Sequence, residues 1–198
     1  MELIHYLNEH FLTHAQLLAR CALDPDQLQQ WQERRMMPRA SYRLRLEILC
    51  DSFFGEHREQ VAAEYYAQGC IAWAEVLRPL GSEREAFAVF ARRYRVRLDQ
   101  LAATGLGCPD QLATDGHLAA EWAAFLDGTY GLCTVSGLPE DIAAKELAIA
   151  LIREAGDPAQ LRRCVDLLDA ASSPFAPHEV ARSSRHRYVD EMRRVHGL

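Results

Sequence analysis

A cysteine and a histidine in the C-terminal third of the chain have the types and surroundings of a nucleophile and its base. Cys133 follows Gly128 and Gly131 and lies just before a helix whose start is marked by Pro139. A nearby helix N-terminus lowers the pKa of a thiol, and nucleophilic catalysis also needs a base. His178 is the leading candidate for that base. The alternative is that Cys133 is a small buried apolar residue, as free cysteines usually are.

The polar residues around His178 form a second candidate site, which would bind a small anion or a carboxylate. Guanidinium groups form paired hydrogen bonds with such ligands, and a helix N-terminus adds positive potential. The predicted ligand-binding residues are Tyr130, His178, Glu179, Arg182, Ser183, Ser184 and Arg185. In the alternative interpretation, these side chains pair within the protein and tie the last helix to the body.

The sequence predicts neither a metal site nor a cofactor. His178, His186 and Asp190 recur along a helix predicted over residues 177–196. Histidines eight positions apart on a helix are about 12 Å apart, so one ion cannot bind both. The metalloprotease motif HExxH is also absent from the sequence. Lys145 and Glu146 are interpreted as ordinary residues of a helix surface.

The segment from Phe11 to Pro38 has the features of a helix-turn-helix. Thr13 and Asp24 are good caps for two short helices, and Pro25 fits the first turn of the second helix. The segment resembles the head of MerR-type transcription regulators, which is a winged helix-turn-helix. The residues that carry this resemblance are Leu28, Trp31, Glu33, Arg34, Met36, Met37 and Pro38.

The net charge of this segment bears on whether it binds DNA or docks a protein. The DNA-binding hypothesis uses Gln27, Gln30, Arg34, Arg35, Arg39, Arg43 and Arg45. Phosphate contacts supply most non-specific affinity for DNA. However, Asp24 and Asp26 stand at the start of the would-be recognition helix, and residues 1–60 carry seven Arg against nine Asp or Glu. The balance favours a structural or docking role.

The elements that must position these residues are predicted to be helices. Ala, Leu, Arg, Glu and Gln dominate the sequence, and all are good helix formers. The predicted helices after the head run from Tyr42 to the Phe53–Gly55 break and over 58–78, 83–103, 116–127, 139–155, 158–171 and 177–196. The predicted fold is all-α, with a helix-turn-helix-like head (1–40) packed on an antiparallel α-helical bundle (41–198), or one continuous domain (1–198).

Bulk composition indicates a globular protein of the cytoplasm. Hydrophobic residues make up 49% of the 198 residues, and the net charge is −6. This charge argues against a general nucleic-acid coat and against a membrane-surface role. The start lacks the pattern of a signal peptide, no apolar run is long enough to span a bilayer, and the six cysteines are widely scattered. Reduced thiols are therefore expected.

Two dense segments carry a resemblance that covers nearly the whole chain. They are Trp122–Thr134, continued by Pro139–Leu147, and Leu168–Asp190, together with Phe11–Thr13 and Ser41–Tyr42. These segments resemble a bacterial family of roughly this length, known as a domain of unknown function, some members of which are associated with natural-product biosynthesis. The resemblance implies no known reaction.

The leading functional hypothesis is a non-enzymatic binding or accessory protein, set in bacterial natural-product biosynthesis and acting through protein or small-ligand contacts. The second hypothesis is a DNA-binding transcriptional regulator with the MerR-like head. The third is an enzyme centred on Cys133 and His178. A homodimer is a further expectation, because Tyr65, Tyr66 and Trp73 could offer apolar surface, although they could equally belong to the core.

Overall fold

A computed structural model describes residues 2–198 and shows a mixed α/β protein. It is 62% helical, and 14% of it is a three-stranded antiparallel sheet. The all-α prediction is therefore wrong. The error lies in residues 42–67, which form a β-hairpin and not two helices.

The sequence of β2 has an alternating pattern that explains why this segment is a strand. Tyr42, Leu44, Leu46 and Ile48 alternate with Arg43, Arg45 and Glu47 in the sequence. A period of two places the apolar side chains on one face of a strand. Leu44 and Ile48 are also four residues apart, which is the spacing that suggested a helix.

The N-terminal unit, residues 2–67, mixes helices with strands. Its elements in chain order are α1 (Glu2–His10), β1 (Phe11–Thr13), α2 (His14–Cys21), α3 (Pro25–Glu33), β2 (Tyr42–Ser52) and β3 (Gly55–Ala67). β3 lies between β1 and β2 and pairs antiparallel with both. The side chains of Thr13 and Asp24 cap α2 and α3 as the sequence indicates, and residues 22–24 form the short turn between these helices.

The helical body, residues 70–198, follows. Its helices are α4 (Cys70–Leu77), α5 (Glu83–Ala103), α6 (Asp115–Leu126), α7 (Thr129–Cys133), α8 (Pro139–Glu154), α9 (Pro158–Ala171) and α10 (Glu191–His196). α8 packs against both α5 and α9 and is buried along most of its length. No helix in the described range 2–198 has the length and apolar character needed to cross a membrane.

The last predicted helix, 177–196, is not continuous. A 3-10 turn at Val180–Arg182, a π-helical turn at His186–Asp190 and α10 replace it. Ser183 has extended backbone, and its hydroxyl accepts a hydrogen bond from the backbone N–H of His186 at 2.9 Å. The break means that His178, Arg182, His186 and Asp190 do not share one helix face.

One hydrophobic core joins the N-terminal unit to the body. It contains Leu28 and Trp31 from α3 together with Trp73, Phe90 and Trp122 from the body. The indole N–H of Trp73 donates to the Met36 carbonyl at 2.8 Å. Tyr65, Tyr66 and Trp73 are 5%, 1% and 0% exposed, so these three residues are buried and offer no apolar surface.

The outer part of the hairpin, residues 45–62, extends beyond the core, and we call it the arm. Every residue from 47 to 60 is exposed. Phe53 and Phe54 form the two-residue turn at its tip, where Ser52 pairs with Gly55. Gly55 has φ +110, a backbone conformation that side chains with a Cβ rarely adopt. The two phenylalanines at the tip are 97% and 95% exposed.

Candidate functional site

Six polar side chains from four helices meet inside the body, and we call them the polar cluster. α5 contributes one, α6 two, α7 one and α8 two. They are Tyr94, His117, Glu121, Tyr130, Lys145 and Glu146. Because charged groups are costly to bury, their hydrogen bonds and ion pairs determine what this cluster can do.

One half of the polar cluster is an ammonium–carboxylate pair next to a phenol. Lys145 Nζ donates to Glu146 Oε1 at 2.7 Å and lies 5.5 Å from the centre of the Tyr130 ring. Tyr130 Oη donates to the carboxylate of Glu121 and lies 3.5 Å from Glu146 Oε1. One phenol therefore links the two carboxyl groups.

The other half consists of an imidazole between a carboxyl and a phenol. His117 Nε2 lies 3.7 Å from Glu121 Oε1 and 2.9 Å from Tyr94 Oη. His117 and Glu121 are four residues apart on α6, so the helix itself places them together. Their side chains are 21% and 12% exposed, so both are mostly buried.

The electrostatics of the polar cluster favour proton exchange near neutral pH. Burial raises the pKa of Glu121 to about 7, the charge of Glu146 adds to this rise, and Lys145 opposes it. Burial lowers the pKa of His117, so its imidazole is neutral at pH 7. For Lys145, burial lowers the pKa, but Cys133 and the carboxylates raise it further, and the amine stays an ammonium. A carboxyl group with a pKa near 7 suits general acid–base chemistry.

Sequence reasoning missed this cluster because it placed Lys145 and Glu146 on a helix surface. Lys145 is 7% exposed. A signal existed: Ala143, Ala144, Leu147 and Ala148 surround these positions, so α8 is apolar on most sides. A helix of that kind is buried in the core, and its charged residues are buried with it.

The structure gives the Cys133–His178 pair no support. Cys133 lies at the C-terminal end of α7, and its thiol donates to the Thr129 carbonyl at 3.6 Å. Burial raises the pKa of this thiol to about 11, although Lys145 opposes the rise, so the thiol is neutral at pH 7. His178 is largely exposed and lies 3.8 Å from Glu179. The catalytic role of the pair stays a prediction.

The predicted ligand-binding residues are divided between different surroundings. Tyr130 belongs to the polar cluster, and Arg182 is exposed. Glu179 accepts a hydrogen bond from Tyr42 Oη at 2.5 Å, which ties the loop after α9 to β2. His178 lies beside Glu179 at the surface. The structure therefore does not bring these four residues to one site.

The remaining ligand-binding candidates serve internal contacts. Arg185 forms an ion pair with Asp169 and donates to the Ser172 carbonyl at 3.5 Å. The Ser183 hydroxyl caps the turn at His186. The Ser184 hydroxyl is buried and has no hydrogen-bond partner among residues 2–198. For Arg185 and Ser183, the interpretation as internal pairing describes the observed contacts.

The predicted DNA-binding arginines are largely engaged within the chain. Arg34 donates to the Gly81 carbonyl, and Arg35 Nε lies 2.8 Å from Glu83 Oε1. Arg43 lies 3.6 Å from Glu64 across the hairpin. Arg39 and Arg45 are exposed. The five arginines do not form one free basic strip.

On α3 itself, the exposed surface is polar and acidic. Gln27 donates to the side chain of Gln30 at 3.4 Å, and Gln29 donates to Glu33 at 2.7 Å. Asp24 and Asp26 are exposed at the start of the helix. A phosphate backbone near this surface would meet carboxylates first.

The glycines of the segment 128–137 serve the contact between the N-terminal unit and the body. A Cβ on Gly128 would lie 2.7 Å from the Arg39 carbonyl oxygen, and one on Gly131 would overlap the Ser41 hydroxyl. Gly69 makes a similar contact with the carbonyl of Ser136. Only glycine allows the two backbones to approach this closely, so the segment has a packing role.

The arm is an amphipathic ribbon. Its cross-strand pairs place most of the apolar residues on one face, which also carries His57 and Glu59, whereas most of the charged residues and Leu49 lie on the other. The apolar residues of the first face are Leu44, Leu46, Ile48, Cys50, Val61 and Ala63. Leu44 and Ala63 pack against Tyr6 and Phe11 near the base, whereas Ile48 and Cys50 are uncovered. The outer half of this face is open.

The described residues, 2–198, hold no group of three or more His, Cys, Asp or Glu side chains placed to bind a metal ion. A family model described as "Family of unknown function (DUF6058)" matches residues 86–197. The matched part contains the whole polar cluster and excludes the arm. No curated protein and no solved structure matches the chain.

Proposed function

The chain belongs to the family of unknown function DUF6058, and we propose that it is a non-enzymatic accessory protein that binds a protein partner through its arm. The observation that carries the proposal is the tip of the arm, where Phe53 and Phe54 are 97% and 95% exposed. Contiguous exposed apolar surface on a soluble protein marks an interaction site. Aromatic side chains, phenylalanine among them, are also enriched in protein interfaces.

The build of the arm supports the same role. A two-stranded hairpin by itself is only marginally stable in water, so a hairpin of this length gains from a partner that covers it. Ile48 and Leu49 are 39% and 55% exposed, and they add one apolar side chain to each face of the arm behind the tip. β2 is an edge strand, with backbone groups free to pair with another chain.

The charges of the arm define the chemistry of the partner. Asp51 and Glu56 face each other across the hairpin directly behind the two phenylalanines, and Glu56 lies 3.5 Å from Arg58. A surface that receives the tip therefore needs an apolar centre with basic side chains at its rim. Complementary charges at the rim of an interface set partner choice and association rate more than they set affinity.

The location that we propose is the cytoplasm. All six cysteines of the chain are free, and four of them are buried. Free thiols are typical of a reducing compartment. The family resemblance makes enzymes of natural-product biosynthesis the first partners to test.

Site-specific photocrosslinking in cells tests the docking role. A photoreactive phenylalanine analogue would replace Phe54, and a matched control would replace Val195, which is 61% exposed on α10. We expect adducts with a defined protein from position 54 and none from position 195. The partner would then be purified, and its Kd measured against the wild type and the variant F53S/F54S.

The expected result is a Kd that rises by about 100-fold in F53S/F54S, since an aromatic hot spot contributes about 2–4 kcal/mol. An unchanged Kd would contradict the proposal. Equal adduct yields from positions 54 and 195 would contradict it as well.

DNA binding is the second candidate, and the order of elements favours it. β1, α2, a three-residue turn, α3 and the β2–β3 hairpin follow one another as in a helix-turn-helix with a wing. The acidic surface of α3 opposes it. Gel retardation on the protein's own upstream DNA over a salt series tests DNA binding. If the mobility of the DNA does not change at low salt, this candidate is contradicted.

A further inference from the structure

We infer that the protein partner of the arm is a second copy of this chain, an inference that rests on the proposed docking role. The tip of each arm would occupy a surface hollow on the other copy, beside α5 and α6. This hollow has a volume of about 370 Å³. It is lined by Arg35, Glu83, Arg84, Phe87, Ala119 and Trp122.

The centre of the hollow matches the tip in chemistry. Phe87 and Trp122 lie with their ring centres 6.0 Å apart, and Ala119 is exposed beside them. Phe53 and Phe54 at the tip lie 5.3 Å apart in an edge-on arrangement. Aromatic rings pack well on one another at such distances, and burying them releases the most apolar surface per residue.

The rim of the hollow matches the charge of the arm. Arg84 is exposed and forms no ion pair within the described part of the chain, residues 2–198. Arg35 shares the rim, although it is paired with Glu83. Asp51 and Glu56 stand behind the phenylalanines, and Glu56 lies 3.5 Å from Arg58. A seated tip would therefore bring Asp51, which forms no ion pair among residues 2–198, to Arg84 at the rim. This is the partner surface that the charges of the arm require.

The hollow is not filled by the chain's own arm, because Phe53 and Phe54 are almost fully exposed. Two copies related by a two-fold axis would form the contact twice, as closed dimers do. Four buried phenylalanines and the surfaces that receive them would remove about 1,200–2,000 Å² from solvent, which is the size of a stable specific interface.

Sedimentation over a concentration series up to about 100 μM tests the inference directly. We expect a dimer for the wild type and a rise in the dimer dissociation constant of about 100-fold for F53S/F54S. V195S is the matched control, since it removes an exposed apolar side chain at another place, and it should dimerise as the wild type does. Circular dichroism would show that each variant is folded.

Exchanging the charges of Asp51 and Arg84 tests whether the tip binds in this hollow. R84E and D51R should each weaken the dimer by about 10-fold, because each places like charges at the rim. The double variant D51R/R84E restores opposite charges and should dimerise within about 3-fold of the wild type. A purely structural role for either residue would not give this rescue.

Crosslinking between labelled and unlabelled copies locates the contact. The photoreactive analogue at position 54 in a ¹⁵N-labelled chain should attach to the peptide that contains Phe87 or Ala119 of an unlabelled chain. Attachment elsewhere, or a double variant without rescue, overturns the assignment of the hollow.

A chain that is monomeric throughout the series overturns the inference, as does a dimer that F53S/F54S leaves intact. In the monomeric case, adducts from position 54 to a different protein in cells would leave the docking role standing. The absence of any such adduct would contradict both the dimer and the docking role.

Discussion

At the scale of single residues, position in the fold decides chemical character. Lys145 is the only lysine of the chain, and its place on a buried helix makes it an ion-pair partner of Glu146. Burial, with the charge of Glu146, raises the pKa of Glu121 to about 7. Cys133 is three residues from Tyr130 in sequence, and burial raises the pKa of its thiol to about 11.

The pKa of Glu121 predicts a pH-dependent stability. Its folded pKa of about 7 lies above the ordinary value of 4.5. Between these values the folded state holds a proton that the unfolded chain releases, so the contribution of Glu121 to stability falls as the pH rises from 4.5 to 7. Glutamine does not titrate. The variant E121Q should therefore gain up to about 3 kcal/mol relative to the wild type between pH 5 and pH 8.

Urea unfolding of both proteins at the two pH values measures this gain. The control is E154Q, a substitution at an exposed position of α8, which should show no such change. A difference between E121Q and the wild type that is constant with pH would mean that Glu121 titrates normally.

Gly131 predicts a steric effect at the contact between the two units. A Cβ at this position would overlap the Ser41 hydroxyl and lie 2.8 Å from Ala67 Cβ. G131A should lower the free energy of unfolding by about 1–3 kcal/mol, as overpacking does. In G116A the new Cβ meets nothing within 4 Å, and this control should be neutral or slightly stabilising. Thermal melts that rank the two variants in reverse order would refute the steric explanation.

At the scale of elements, the β2–β3 hairpin has two parts with different roles. Its base pairs with β1 and buries Tyr42 and Tyr65 against Tyr6 and Phe11. In the arm, every residue from 47 to 60 is exposed. The base therefore belongs to the fold, and the arm is available for binding.

Removing the arm should leave the fold intact. Replacement of residues 45–62 by Asn-Gly joins Leu44 to Ala63, which already face each other, through a turn that two-residue hairpins favour. We expect the free energy of unfolding to change by less than about 1 kcal/mol, because all the removed residues except Leu46 and Val61 are exposed. Circular dichroism during urea unfolding checks this. Loss of the cooperative transition would show that the arm is needed for folding.

At the scale of the whole molecule, the N-terminal unit and the body share one core. Leu12, Leu17 and Leu28 belong to the same hydrophobic cluster as Trp73 and Leu147. Because interiors are close-packed, a change on one side of such a cluster affects the other.

This shared core predicts that the chain unfolds as one unit. L28A, at a residue that is 1% exposed, should lower the free energy of unfolding by about 2–5 kcal/mol. Tryptophan fluorescence and circular dichroism should report the same shift, since the tryptophans lie in the core and most helices lie in the body. L49A, on the exposed arm, should change the value by less than about 0.5 kcal/mol. Separate transitions for the two probes would indicate two independent domains.

The sequence by itself determined the features that depend on neighbouring residues. Thr13 and Asp24 cap their helices as predicted, because a capping bond needs only residues three positions apart. Helical periodicity also located the long helices α5, α8 and α9. Membership of a family of unknown function was foreseen from the segments around Trp122 and Leu168.

The tertiary structure alone decided which residues meet across the chain. Residues 42–52 have apolar side chains at both strand and helix spacings, and pairing with β3 selected the strand. Lys145, Glu121 and Tyr130 come together only because α6, α7 and α8 pack there, and this contact sets the pKa of Glu121. The arm is exposed because the core ends near Leu44 and Ala63. Burial and proximity depend on contacts between distant segments, which local sequence patterns do not record.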